Sequence, residues 1–229
     1  MRVLFISSCT GDKKYKPENQ LTEEDFYSFG TSEFYEREKE LDAFRAPAHE
    51  IYTGMQHVLL KRGLDSLRSC CTEDNFDVRI ISAGYGVIKE DTQIPHEMTF
   101  QGMKVKEIDG WSAALEIPQN AYPLFFEYDL VFVLLGKEYL RALHLPKDLS
   151  TQSQAIFLTS KGGKRYIPDC ESFHQIQLNN ADANRLGAGL IALKGRVVEL
   201  LGDRVCKKGC ESLQEIKEYP NPLECFLKQ

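Results

Sequence analysis

Four short apolar runs punctuate the chain, at Val3–Ser7, Val78–Ser82, Leu130–Leu135 and Ala155–Thr159. Each is rich in β-branched or aromatic residues and apolar at consecutive rather than alternate positions, the pattern of strands buried on both faces. Helical periods fill the intervals. Phe34–Phe44 is charged and periodic. Ala48–Leu67 sets Ile51, Met55, Val58, Leu59 and Leu64 along one face, and Leu186–Leu201 sets Leu186, Leu190, Leu193, Val197 and Leu201 along another. Asn180 to Asn184 offers an N-cap ahead of that last face, and Gly202 suits its end. Alternating strands and helices predict an α/β fold in three layers, with a mainly parallel, four- to five-stranded central sheet flanked by helices and right-handed crossovers between strands.

The 229 residues read as a single α/β domain over 1–205, in which the polar and aromatic residues 11–33 form a loop or small helix after the first strand, followed by a Lys/Glu-rich C-terminal extension over 206–229. No run of about 18 apolar residues occurs, so no membrane span is expected. The opening run Met1–Ile6 is too short for a signal peptide and ends in Ser-Ser-Cys-Thr, so it reads as the first buried strand of a cytoplasmic protein. The net charge of −6 argues against a protein that coats nucleic acid, without excluding a local basic site. Of the seven cysteines, Cys70 and Cys71 are adjacent, and Cys206, Cys210 and Cys225 match no closed zinc spacing. Reduced thiols and no metal site are expected, as in cytosolic proteins generally, and no cofactor is called for.

Open parallel sheets bind ligands outside the carboxyl ends of their strands. Four loops would share that rim: Ser7–Tyr15, Ala83–Asp91, Gly136–Tyr139 and Ser160–Tyr166. Each holds glycine, lysine and tyrosine, and together they collect Lys13, Lys14, Lys137, Lys161, Lys164 and Arg165 in an acidic protein. Backbone amides at glycine turns hold phosphate and tyrosines stack on bases, which suits a nucleotide or nucleoside ligand. Neither a Walker A nor a Rossmann glycine pattern is present. Ser8, Lys13, Lys14, Ser82, Gly84, Gly86, Gly136, Lys161 and Lys164 are the expected ligand-binding residues. Asp91 is the candidate general base, Tyr85 the stacking or catalytic aromatic, and Cys9 a candidate nucleophile. His96, after Pro95, is the most site-like histidine; His49 and His57 fall on a helix. Trp111 reads as a core anchor, and Asn179 with Asn180 as a cap or a base-edge contact.

Three motifs occur in order: Ser7, Ser8, Cys9, Lys13 and Lys14; then Pro47, Ala48, Tyr52 and Gly54; then Ser82, Ala83, Tyr85, Gly86 and Asp91. Over roughly residues 1–135 this resembles a group of bacterial and phage proteins, distantly similar to YaaA-type peroxide-stress proteins and to an archaeosine-synthase domain related to the uracil-DNA-glycosylase type of fold. The chain departs from that group by the segment between its first two motifs, about Lys16 to Arg45, and lacks the water-activating Asp-Pro-Tyr motif of true glycosylases. The resemblance implies a nucleobase- or nucleic-acid-linked role without a settled reaction. The expectation carried forward is a nucleobase-, nucleoside- or nucleotide-processing enzyme acting at an N-glycosidic bond, on free nucleotide, DNA or tRNA. The alternatives are a non-catalytic nucleic-acid-binding or oxidative-stress protein and a nucleotide sensor.

Overall fold

A computed structural model describes residues 1–95 and 98–218. The chain opens with β1 (Arg2–Ser8). The polar segment that follows carries α1 (Glu23–Phe26) and α2 (Ser32–Lys39), and leads through β2 (Ala46–Pro47) and α3 (Ala48–Ile51) into the long α4 (Met55–Cys70). Next come β3 (Asn75–Ser82), β4 (Gly86–Lys89) and β5 (Gln93–Ile94), then α5 (Val105–Ala114), α6 (Ile117–Ala121) and α7 (Leu124–Glu127). The remainder is β6 (Leu130–Val133), α8 (Lys137–Leu143), β7 (Gln154–Thr159), β8 (Phe173–Gln177), α9 (Asn180–Leu186), α10 (Leu193–Lys208) and α11 (Glu211–Glu218).

The main sheet has six strands in the order β4-β3-β1-β6-β7-β8, and every pair is parallel except β3 with β4. All four apolar runs are strands of this sheet. Val3–Ile6 and Leu130–Leu135 are wholly buried, with Phe5 stacked on Phe132 at 5.0 Å. The sheet has one strand more than the upper expectation, and the two strands without an apolar run are its edges, β4 and β8. β4 arises from a hairpin in which Gly86 takes φ +73°, and β8 buries only Phe173 and Ile176, so neither has a continuous apolar run. The sheet is thus covered by α4 and α10 on one face and by α5, α6 and α8 packed together on the other.

The periodic segments break where their chemistry requires. Ala48–Leu67 is two helices, because Gly54 begins α4 in contact with β1's loop: a Cβ there would sit 2.6 Å from Thr10 Cβ. Leu186–Leu201 also divides, with α9 ending at Gly187 in the left-handed region and α10 starting afresh at Leu193. Gly202 does not end a helix. It lies inside α10, where a Cβ would come within 2.6 Å of the Gly63 carbonyl. Gly195, Gly202 and Gly63 let α4 and α10 run parallel with their backbones nearly touching.

The expectation of reduced thiols is also corrected. Cys70 bonds to Cys206 and Cys71 to Cys210, with Cα separations of 5.4 and 5.7 Å, stapling the C-terminal ends of the same two helices. The adjacency of Cys70 and Cys71 forbids an ordinary bridge between them, but not bridges to Cys206 on α10 and to Cys210 just beyond its end. No described helix is long and apolar enough to cross a membrane.

Candidate functional site

Counting only the parallel strands, the order is that of a doubly wound sheet whose switch point lies between β1 and β6. A cavity of about 460 Å³ opens at this rim. Ser8 from the end of β1, Gly136 from the loop after β6, Tyr139 from the first turn of α8, and Thr159 and Ser160 from the end of β7 all line it. So do Gln56 and Lys194, from the first turns of α4 and α10. Since α4 and α10 run parallel, both N-termini face this cavity, with that of α8 beside them. None of the three has a side-chain cap. Their first amides lack intrahelical acceptors, and helix N-termini carry positive partial charge.

Lys194 adds a full positive charge in the first turn of α10, the end of a helix that disfavours cations. Burial pushes its ammonium down to about 8, and Glu138 across the cavity acts weakly the other way. The amine lies 3.4 Å from Gln56 Oε1, while Gln56 Nε2 donates to the Leu134 carbonyl at 3.2 Å and to Ser7 Oγ at 3.4 Å. Gln56 thus fixes Lys194 to the ends of β1 and β6. Such an amine can hold an anion, and its neutral fraction can attack a carbonyl. Sequence reasoning missed Lys194, Gln56 and Glu138. Two signals pointed to them: a lysine opening an amphipathic helix, and a glutamine on the otherwise apolar face of another.

The expected residues are distributed differently. Ser8 and Gly136 do reach the cavity. Cys9 lies beneath its wall, 4% exposed, with its sulfur 3.0 Å from the Tyr139 hydroxyl, so it is packed rather than presented. Lys13 is buried, donates to the Thr10 carbonyl and lies over the Tyr52 ring, while Lys14 pairs with Glu50 at 2.9 Å. The first two sequence motifs therefore meet as packing partners, joined by the bridge Lys13–Tyr52 and by Thr10 against Gly54. Ser82, Gly84 and Gly86 build the hairpin turn: Ser82 Oγ accepts from the amides of Gly84 and Tyr85 at 3.2 and 2.8 Å. Lys161 and Lys164 are exposed on the turn after β7. Asn179 caps α9, and Trp111 is buried and donates to the Ala83 carbonyl. His96 lies outside the described residues.

Asp91 and Tyr85 are not at the cavity. The hairpin reverses the chain, and β4 carries it back so that Lys89 pairs with Arg79, roughly 10 Å below the rim. Asp91 follows, exposed at the mouth of a polar groove with His49, Arg68 and Glu90. Tyr85 is enclosed by the segment at 16–45. Its ring meets Phe26, Phe29 and Phe34 edge-on, and its hydroxyl donates to Glu38 Oε1 at 2.7 Å. Glu38, itself buried, pairs with Arg45 at 2.7 Å. That segment clamps the hairpin.

His57 lines the same polar groove yet is 3% exposed, and neither ring nitrogen has a hydrogen-bond partner. Burial pushes its pKa down to about 4, and the nearby His49 backbone opposes this without a well-formed hydrogen bond. A histidine neutral in the fold but protonated when unfolded favours unfolding as pH falls from about 6.5 to about 4. Chemical denaturation at pH 7 and pH 4.5 should therefore show a loss of stability that shrinks by about 2 kcal/mol in His57→Phe. An equal loss in both proteins would assign the acid sensitivity elsewhere.

Among the described residues, one group of side chains could hold a metal: Cys71, Asp74 and Cys210. No family model and no curated protein matches the chain. Two solved structures are similar: an azoreductase from Bacillus anthracis str. Sterne, at 10% identity and TM-score 0.32, and the azoreductase AzrA, at 10% and 0.35. Each comparison covers 90% of this chain, and 99% and 100% respectively of the other. At these values the likeness carries nothing about chemistry. The expectation of nucleobase, nucleoside or nucleotide processing is corrected on the geometry: Asp91, its base, and Tyr85, its stacking ring, lie away from the cavity, and Lys13 and Lys14 are occupied.

Proposed function

We propose that the chain binds a small anionic ligand in the rim cavity, with Lys194 as its counter-ion. One observation carries this reading: a partly desolvated lysine opens a helix whose N-terminus, with two others, is uncapped and faces a cavity at the switch point. An anion there would offset the lysine charge and accept from free amides together. The neutral lining of Ser8, Thr159 and Ser160 adds hydroxyl donors.

Calorimetric titration with inorganic phosphate, sulfate and small carboxylates, against the matching neutral amides, tests it. Binding of at least one anion class is expected, weakened about 10- to 100-fold in Lys194→Met, the worth of a charge-assisted hydrogen bond. Because an anion raises the lysine pKa, affinity should be level below pH about 8 and fall about tenfold per pH unit above it, until the pKa of the complex is reached. Anion affinity equal in Lys194→Met and wild type would remove Lys194 from the site. Binding of none of these anions would overturn the reading.

A further inference from the structure

The opposite end of the α4–α10 pair holds a second concentration of chemistry. Because the helices run parallel, both C-termini converge there, and helix C-termini carry negative partial charge. Cys206 Sγ lies 3.3 Å from the Ser66 carbonyl, and Cys210 Sγ lies 3.5 Å from that of Cys70. The Asp74 carboxylate, just past α4, has an oxygen within 4.8 Å of both the Cys71 and Cys210 sulfurs. Its Oδ1 accepts from the Met1 ammonium at 2.6 Å, which leaves Oδ2 for another partner. Cys71 is 3% exposed. Lys207 and Lys208 supply positive charge in the last turn of α10.

We infer that, once the Cys71–Cys210 bridge is reduced, Cys71, Cys210 and Asp74 bind a thiophilic divalent cation of the zinc class. Reduction by a dithiol, or by a phosphine with water, turns the disulfide into two thiols and the reductant into a disulfide or a phosphine oxide. The metal then displaces one proton from each thiol and takes the carboxylate as third ligand, with water in the fourth position. The helix C-termini and the carboxylate keep the free thiols protonated, so they become thiolates only as the cation displaces their protons, and the bound cation then offsets the negative partial charge that converges there. A tetrahedral zinc-type ion with bonds of ~2.0–2.3 Å spaces its donors roughly 3.5 Å apart, so the two sulfurs, bonded to each other in the oxidised chain, must part on reduction while the carboxylate closes by about 1 Å.

The test is a Co²⁺ titration of the full chain reduced with a phosphine under anaerobic conditions, followed by thiolate-to-cobalt absorption, with circular dichroism to establish that the reduced chain is folded. One Co²⁺ per chain is expected in reduced wild type, and none in the oxidised protein or in reduced Cys71→Ser. The band should persist in the double variant Cys70→Ser with Cys206→Ser, which excludes a site built on the other bridge. Asp74→Asn should bind at least about tenfold more weakly. Absence of the band in reduced wild type, loss of the fold on reduction, or an undiminished band in Cys71→Ser would each overturn the inference. Unchanged affinity in Asp74→Asn would overturn it as well, since the carboxylate is what distinguishes this site from a bare thiol pair.

Discussion

Removing both bridges, by serine at Cys70, Cys71, Cys206 and Cys210, is expected to lower the stability of the oxidised protein by about 5 kcal/mol, whereas removing either bridge alone costs far less. The bridges span 136 and 139 residues, and closing a loop of that order restricts the unfolded chain by about 5 kcal/mol in the chain-entropy picture. The two loops nearly coincide. Once Cys70 is bonded to Cys206, joining the next residue to Cys210 closes only a further small ring and restricts the unfolded chain little more. For a chain of this length the combined loss corresponds to a fall in Tm of roughly 10–20 °C. Scanning calorimetry of wild type, the two single-bridge variants and the quadruple variant gives the comparison. If each single-bridge variant loses as much as the quadruple one, the effect is native-state packing at Cys71 and its neighbours rather than restriction of the unfolded chain.

The second large effect is expected at Gly195. Alanine is the better helix former by about 1 kcal/mol, so propensity alone predicts stabilisation. Yet a Cβ at Gly195 would lie 2.1 Å from the Gln56 carbonyl oxygen, a backbone atom that yields only if α4 and α10 separate. Gly195→Ala should therefore destabilise by about 3 kcal/mol, the upper part of the usual range for overpacking. Gly110 in α5 is the matched control: it is exposed, nothing lies within 4 Å of an added Cβ, and Gly110→Ala should stabilise by about 0.5–1 kcal/mol. Urea midpoints of the two variants should move in opposite directions. Movement the same way would mean that the helix contact relaxes without cost. Gly195 also sits next to Lys194, so the variant should weaken anion binding by displacing the first turn of α10.

The layered fold was legible because strands buried on both faces write themselves as continuous apolar runs. Val3–Ile6 and Leu130–Leu135 needed no further context. The edge strands were not legible. Phe173–Gln177 buries only Phe173 and Ile176 and reads like a loop, and β4 follows from a hairpin whose glycine looked like part of a ligand loop. That same hairpin accounts for the misplacement of Asp91. Two residues of sequence beyond a strand do not say whether the chain goes on over the rim or turns back down the sheet. The rule that ligands sit beyond carboxyl ends of strands placed Ser8 and Gly136 at the rim, where they line the cavity. Lys194 and Gln56 escaped it because they come from helix starts, and their approach depends on glycine contacts between segments some 140 residues apart. The bridges were hidden for the same reason: pairing of Cys70 with Cys206 follows from the parallel alignment of two helices, not from cysteine spacing.

The place of β1 bears on how the chain is made. It is made before its sheet partners but lies in the middle of the sheet, hydrogen-bonded to β3 on one side and β6 on the other. Its second partner begins at Leu130, so at ~5–20 residues per second the apolar stretch Val3–Ile6 waits roughly 6–26 s after emerging before both its edges are covered. During that interval a nascent chain of this protein presents an unpaired apolar strand, the kind of surface that chaperones shield and that adjacent nascent chains capture. Yield in the cell should therefore respond to translation rate and to chaperone supply more than the stability of the finished fold would suggest.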